Sequence, residues 1–334
     1  MLKIKLKYLS IFLVLISLLS FLNILYSYYF SLYLNLNAYF YTLVISGFFS
    51  LIFFKFQSNG KRPPLFEKIV TILFGYIFIP LILSIPFYFS IHNLTFLNSL
   101  FESVSGFTST GFSIFDNIKQ IDQSLILWRS TTQWIGGLYF LFSIIFLIDI
   151  YDESLKRSLT NFISLNNSEI IKQTVKVFIL YFLLTFFIFT ILELIGLRTF
   201  NSFNLALTLI SSGGFLPFND ISIILNTDFK KIVFSILMLI SFFSIFFIYN
   251  LILFKNRDKN FFYEDYNLLL YVMILVLVFL LFFGYDNNFL NTIFSIFSSV
   301  SNIGISLNSD FRNLHFIFLI LVIIGGSFFQ PALD

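Results

Sequence analysis

Three times in this chain, a pair of long apolar stretches encloses a short segment that opens on Asn followed by Ser or Thr and closes on Gly thirteen residues later. The copies occupy residues 98–111 (NSLFESVSGFTSTG), 201–214 (NSFNLALTLISSGG) and 291–304 (NTIFSIFSSVSNIG). Aligned on their ends, they carry hydroxyls at matching offsets. Ser99, Ser202 and Thr292 follow the Asn, Ser105, Thr208 and Ser298 stand seven residues after it, and Thr108, Ser211 and Ser301 ten after it. Six residues past each Gly comes Asn117, Asp220 or Asp310. A segment reused at equivalent places in an apolar chain marks a pore built from quasi-equivalent quarters. The economical reason to repeat a short polar loop about an axis is to ring an ion with it.

The apolar stretches set the solvent. Of 334 residues, 58% are hydrophobic and 11% charged, where an ordinary soluble domain carries about 25% charged residues. The 52 Phe reflect compositional bias rather than an aromatic binding role. No cysteine is present, and the two histidines, His92 and His315, make no zinc site by themselves. With ~20 residues needed per crossing, eight spans are expected, at 8–34, 38–54, 69–91, 125–150, 177–197, 232–254, 266–284 and 314–329. A turn at residues 35–37 separates the first two. The first stretch is too long for a signal peptide and is followed by no cleavage pattern, so it reads as an uncleaved helix.

Lys and Arg orient the chain. With the N-terminus in the cytoplasm, fourteen of them fall at cytoplasmic ends and loops: Lys3, Lys5, Lys7, Lys55, Lys61, Arg62, Lys68, Lys156, Arg157, Lys172, Lys176, Lys255, Arg257 and Lys259. Six fall opposite: Lys119, Arg129, Arg198, Lys230, Lys231 and Arg312. All three repeated segments then face outward.

A dozen residues of helix reach about half of the ~30 Å hydrocarbon core. The segments are therefore expected to enter as half-helices, with the Asn and its neighbouring hydroxyl as the N-terminal cap, and to climb back as non-helical chain. Irregular backbone survives at that depth only where it lines water or is covered by protein. Its free carbonyls can replace water around a dehydrated cation. Gly lets successive carbonyls point one way, and the negative C-terminal ends of the half-helices favour positive charge. Glu102 and Arg129 are intramembrane charges with two readings: Glu102 concentrates cations at the mouth, or the two pair as a strut, the preferred reading. Glu193 reads as an interfacial residue, and Lys230 and Lys231 as snorkelling outward.

At these residues the chain resembles the Trk/Ktr/HKT potassium-transporter superfamily, most closely its bacterial TrkH branch. FESVSGFTSTGFS (residues 101–113) resembles that branch's "FE-x-x-SGFTTTG" loop, and LWRSTTQWIGG (residues 127–137) its "WRS-x-TQW-x-GG" helix head. SSGGFLPFND (211–220) is similar to "STGGFSTHD", and SNIGISLNSDF (301–311) keeps Gly304 and Asp310 without the run of threonines. KRPP before the third span and the two extra N-terminal helices also fit. The resemblance implies an all-α integral membrane fold: two N-terminal helices (1–60), then helix–pore-loop–helix repeats at 61–155, 165–257 and 262–334 around a pseudo-symmetric axis. It implies potassium uptake across the bacterial cytoplasmic membrane, with no covalent chemistry, no cofactor beyond the transported ion and no nucleic acid. It further implies a homodimer in the lipid bilayer and a cytosolic nucleotide-binding regulatory ring of the TrkA or KtrA type, with Lys156, Arg157 and Arg257 as docking candidates.

Carried over residue by residue, the implied selectivity filter is Thr108, Ser109, Thr110 and Gly111, then Ser211, Ser212, Gly213 and Gly214, then Ser301, Asn302, Ile303 and Gly304. The thirteen-residue spacing selects Gly214 as the equivalent glycine, whereas alignment on Ser-Gly selects Gly213, and both are kept. Gly325 and Gly326, with Ser327, match part of the family's gating loop. The family norm is four repeats and this chain carries three, so the expectation is a piece of a longer protein. A non-conducting structural subunit is the alternative, and an integral-membrane transferase is the rival from another class.

Overall fold

The computed structural model describes residues 6–55, 64–147, 169–242, 273–274, 289–305 and 307. Nearly all of the expected span at 266–284, all of 314–329, about half of 232–254, and Asp310, Gly325, Gly326, Lys156, Arg157 and Arg257 lie outside the described residues. Among the described residues all regular structure is helical: α1 Leu6–Tyr29, α2 Leu36–Lys55, α3 Leu65–Leu83, α4 Ile85–Tyr88, α5 Phe96–Phe107, α6 Gln123–Leu147, α7 Glu169–Leu194, α8 Thr199–Ile210, α9 Asp228–Phe242 and α10 Phe289–Val300. Five described segments, Leu6–Tyr29, Tyr33–Lys55, Leu65–Tyr88, Gln123–Leu147 and Thr174–Leu194, are long and apolar enough to cross a membrane. The chain is a multi-pass, all-α membrane protein. It divides into two compact units, Met1–Ile179 and Leu180–Asp334, with the boundary inside α7.

In the first unit, α1 and α2 form a hairpin whose facing sides are built from small residues. Ser10, Ser20 and Ser27 are buried on α1, and Ala38, Thr42, Ser46 and Ser50 on α2. In lipid the apolar effect between helices is weak, so such residues hold a pair together by letting the backbones approach. The reversal falls at residues 30–32 rather than at 35–37, with Ser31 in the left-handed region at φ 57. Asn35 is therefore no turn residue. Its amide nitrogen donates to Asp122 Oδ2 at 3.2 Å and its side-chain oxygen accepts from the Ile91 N–H at 3.0 Å. Asn23 Nδ2 donates to the Ser124 carbonyl at 3.1 Å, and Tyr39 and Ser124 hydroxyls meet at 2.9 Å. These polar bonds seat the hairpin on the head of α6.

α3 carries Pro80 within its last turn, and carbonyls of that turn take outside donors. The Pro80 carbonyl accepts from Ser103 Oγ on α5 at 2.6 Å, and the Leu83 carbonyl from Trp128 Nε1 on α6 at 3.1 Å. Gly75 gives room to the ring of Tyr139, whose hydroxyl donates to the Ile72 carbonyl at 2.9 Å; a Cβ at Gly75 would stand 1.9 Å from that hydroxyl. Together α3, α4 and α6 form the wall that holds the half-helix α5.

In the second unit, α9 packs against both half-helices, α8 and α10. Phe234 stacks on Phe294 at 5.7 Å between centroids, and Lys231 Nζ donates to Asn291 Oδ1 at 3.3 Å. Lys231 thus links the N-terminal ends of α9 and α10.

Candidate functional site: three half-helix loops

The three half-helices have one length and one register. α5, α8 and α10 are twelve residues each, about 18 Å at 1.5 Å per residue, and the repeated Asn is the third residue of each: Asn98, Asn201 and Asn291. The Asn is therefore inside the helix and does not cap it. In the first loop the cap is Thr95, whose side chain accepts from the Asn98 N–H at 3.3 Å. α8 follows Arg198 with no side-chain cap bond.

Each half-helix ends the same way. After the last helical residue come Thr108, Ser211 and Ser301, then a residue with positive φ: Ser109 at 54°, Ser212 at 52° and Asn302 at 59°. The N–H of that residue donates three back, to Gly106, Leu209 or Ser299, at 3.0, 3.2 and 3.1 Å. The next N–H, of Thr110, Gly213 or Ile303, donates five back, to Ser105, Thr208 or Ser298, at 2.9, 2.9 and 3.0 Å. This pair of bonds is the Schellman closure, which ordinarily places Gly in the left-handed position. Here Ser, Ser and Asn occupy it. The repeated glycine comes two residues later, with φ 81 at Gly111 and 74 at Gly304. The register makes Gly214 the counterpart of Gly111 and Gly304, because Ser212 is the left-handed residue of its loop.

The closure leaves carbonyls unused. The main-chain oxygens of Thr108 to Gly111, of Ser211 to Gly213 and of Ser301 to Gly304 accept none of the hydrogen bonds found among the described residues. The hydroxyls of Thr108, Ser211 and Ser301 are otherwise engaged. Thr108 Oγ1 bonds the Val104 carbonyl at 2.8 Å, Ser211 Oγ the Leu207 carbonyl at 2.9 Å and Ser301 Oγ the Phe297 carbonyl at 2.7 Å. The helix C-terminus thus consumes the hydroxyls and offers main-chain oxygen. Ile303 is buried, at 3% exposure, so its side chain is packed away while its carbonyl has no partner among the described residues. Past the glycines, Asn117 and Asp220 cap short 3-10 turns, accepting from Lys119 N–H at 3.1 Å and Ser222 N–H at 2.8 Å.

Glu102 and Arg129 are paired. Arg129 Nε donates to Glu102 Oε1 at 2.8 Å, with side chains 1% and 0% exposed. Glu102 Oε2 accepts from the Ile114 N–H at 2.9 Å and Oε1 from Ser113 Oγ at 3.1 Å, and Arg129 Nη2 reaches Ser113 Oγ at 2.9 Å. The guanidinium also lies over the Phe115 ring at 5.5 Å. The pair therefore grips the chain just beyond Gly111 and ties it to α5 and α6. Gly136 completes that joint, since a Cβ there would stand 1.9 Å from the Phe107 carbonyl oxygen.

No protein-family model matches the chain. A protein of Methanocaldococcus jannaschii described as an uncharacterized cation transporter is 29% identical over 63% of this chain and 45% of its own length. The Trk system potassium uptake protein TrkI of Halomonas elongata is 40% identical over 60 residues, 18% of this chain and 11% of that protein. TrkG of Escherichia coli is 44% identical over 46 residues, 14% of this chain and 10% of that protein. The crystal structure of the potassium transporter TrkH from Vibrio parahaemolyticus superposes with TM-score 0.72 at 17% identity, covering 96% of this chain and 68% of that one. The chain thus has the fold of TrkH and is similar in sequence, over parts of its length, to cation and potassium transporters. It spans less than half the length of the curated relatives it matches, and those relatives carry transporter names, none of them an enzyme's.

Proposed function

We propose that this chain builds a potassium-uptake pathway whose selectivity filter is main-chain oxygen from Thr108–Gly111, Ser211–Gly214 and Ser301–Gly304. The observation that carries the reading is that the carbonyls of Thr108–Gly111, Ser211–Gly213 and Ser301–Gly304, beyond three half-helix ends closed in one register, have no partner among the described residues. Such oxygens, with the negative ends of α5, α8 and α10 behind them, offer a dehydrated cation a substitute for its water. The potassium-transporter names of the relatives support the choice of ion.

In this reading residues 1–60 form a peripheral hairpin and 61–155, 165–257 and 262–334 the pore repeats. The N-terminus is cytoplasmic, the loops face outward and the membrane is the bacterial cytoplasmic one. Glu102 and Arg129 support the first loop, and Gly325 and Gly326 belong to the gate. Two copies associate in the bilayer, and a cytosolic nucleotide-binding ring of the TrkA or KtrA type regulates them. The test is growth of a cell lacking its own potassium uptake at low external potassium, with rubidium uptake measured in parallel. The chain rescues growth, and Gly111→Asp, which sets a carboxylate side chain on a left-handed backbone position beside the ion, does not. A chain that inserts in the membrane and gives neither growth nor rubidium uptake is a non-conducting subunit, and the proposal is wrong.

A further inference from the structure

A buried Ser or Thr in a helix has a ready partner in the carbonyl three or four residues back. Thr42, Thr71, Ser143, Thr185 and Ser235 all take it, at 2.6 to 2.8 Å. Ser105 and Thr208 do not. Each reaches forward instead: Ser105 Oγ donates to the Phe112 carbonyl, and Thr208 Oγ1 to the Phe215 carbonyl at 2.9 Å. Those carbonyls belong to the residues immediately after Gly111 and Gly214. The same two residues also accept, on their main-chain oxygens, the Thr110 and Gly213 N–H groups at 2.9 Å. One residue thus holds the filter strand on both sides of its glycine.

Ser298 is the counterpart in the third loop. Its main-chain oxygen accepts from Ile303 N–H at 3.0 Å, but its hydroxyl, 0% exposed, finds no partner among the described residues. The chain keeps the hydroxyl there and leaves the clasp open.

We infer that Ser105 and Thr208 are positioning residues for ion selectivity, clasping the first and second loops, and that the third loop, with Ser298 unengaged, contributes less to discrimination. The inference rests on the potassium-pathway reading. A clasped strand fixes the peptide planes that carry the Thr110 and Gly111 oxygens, or Gly213 and Gly214, at one spacing. Without the clasp those oxygens close on a smaller ion, and preference for potassium over sodium declines. Ser105 and Thr208 touch no ion themselves and act through the strand.

The test compares Ser105→Ala and Thr208→Val with Ser298→Ala, and with the conservative Ser105→Thr and Thr208→Ser. Rubidium uptake is measured against rising external sodium in cells lacking their own potassium uptake. The two clasp-breaking variants still conduct, and the sodium needed to halve rubidium uptake falls roughly tenfold, the scale of one hydrogen bond. The conservative variants and Ser298→Ala keep the parent value. As a second measurement, purified protein unfolds at a higher temperature in potassium than in sodium, and that difference shrinks in Ser105→Ala and Thr208→Val. Rubidium uptake by the parent chain with unchanged sodium competition in both clasp variants overturns the inference and leaves the proposed function standing. Equal loss in Ser298→Ala also overturns it. A parent chain without uptake and without a potassium-dependent unfolding temperature overturns the proposed function itself. If neither clasp variant folds, the hydroxyls are folding elements and the assignment is wrong.

Discussion

Ser109, Ser212 and Asn302 carry a conformation that Gly adopts freely and an L residue with a Cβ adopts at a cost of about 1–2 kcal/mol. The helix ends impose it, since the two closing bonds are formed in each loop. Ser109→Gly therefore raises the thermal unfolding midpoint, by about 1 kcal/mol of stability, and an unchanged or lower midpoint would show that the hydroxyl of Ser109 compensates the strain. Glu102 and Arg129 have the opposite character. Each charge is buried and its partner is what keeps it tolerable, so Arg129→Gln alone destabilises by about 3–5 kcal/mol. Glu102→Gln with Arg129→Gln is less damaging than either single change, because no lone charge is left inside. Unfolding in detergent measures both, and additive losses would contradict the pairing.

At the scale of elements, the thirteen-residue spacing from Asn to Gly was legible because each half-helix is three turns long and each closure takes the same number of residues. The identity of the cap was not. Thr95 lies outside the repeated segment, and Asn98 carries the more familiar capping side chain yet stands third in the helix. The hydroxyls seven residues past the Asn were legible as a repeat, but their partners were not, since a bond from Ser105 to Phe112 follows neither helical nor extended periodicity. Asn35 escaped for a similar reason: its partner Asp122 is 87 residues away. Gly136 is the point where α6 packs directly against the end of α5. Gly136→Ala pushes a Cβ against the Phe107 backbone, which has no rotamer to yield. The expected loss is about 1–3 kcal/mol with reduced rubidium uptake, and a variant matching the parent in both would mean the helices separate at little cost.

For the whole molecule, the apolar spans and the structural likeness agree on a multi-pass membrane protein with the fold of TrkH. Which way it faces rests on the distribution of Lys and Arg, which is a property of the loops and leaves no trace in helix packing. The chain has no cysteine, so a single introduced thiol reports sidedness cleanly. Asp116→Cys, an exposed position beyond Gly111, reacts with a membrane-impermeant maleimide on intact cells. Labelling only after permeabilisation would reverse the orientation and put the loops on the inner face.

The joint formed by Gly136 against Phe107, with Arg129 holding the chain beyond Gly111, has a mechanical corollary. The first half-helix, its strand and the following helix are soldered at two points and travel as a single stiff piece. If the proposed ion pathway opens and shuts, the moving part has to be a softer stretch of the chain, and the mouth of the pathway beside that piece keeps one width in both conditions.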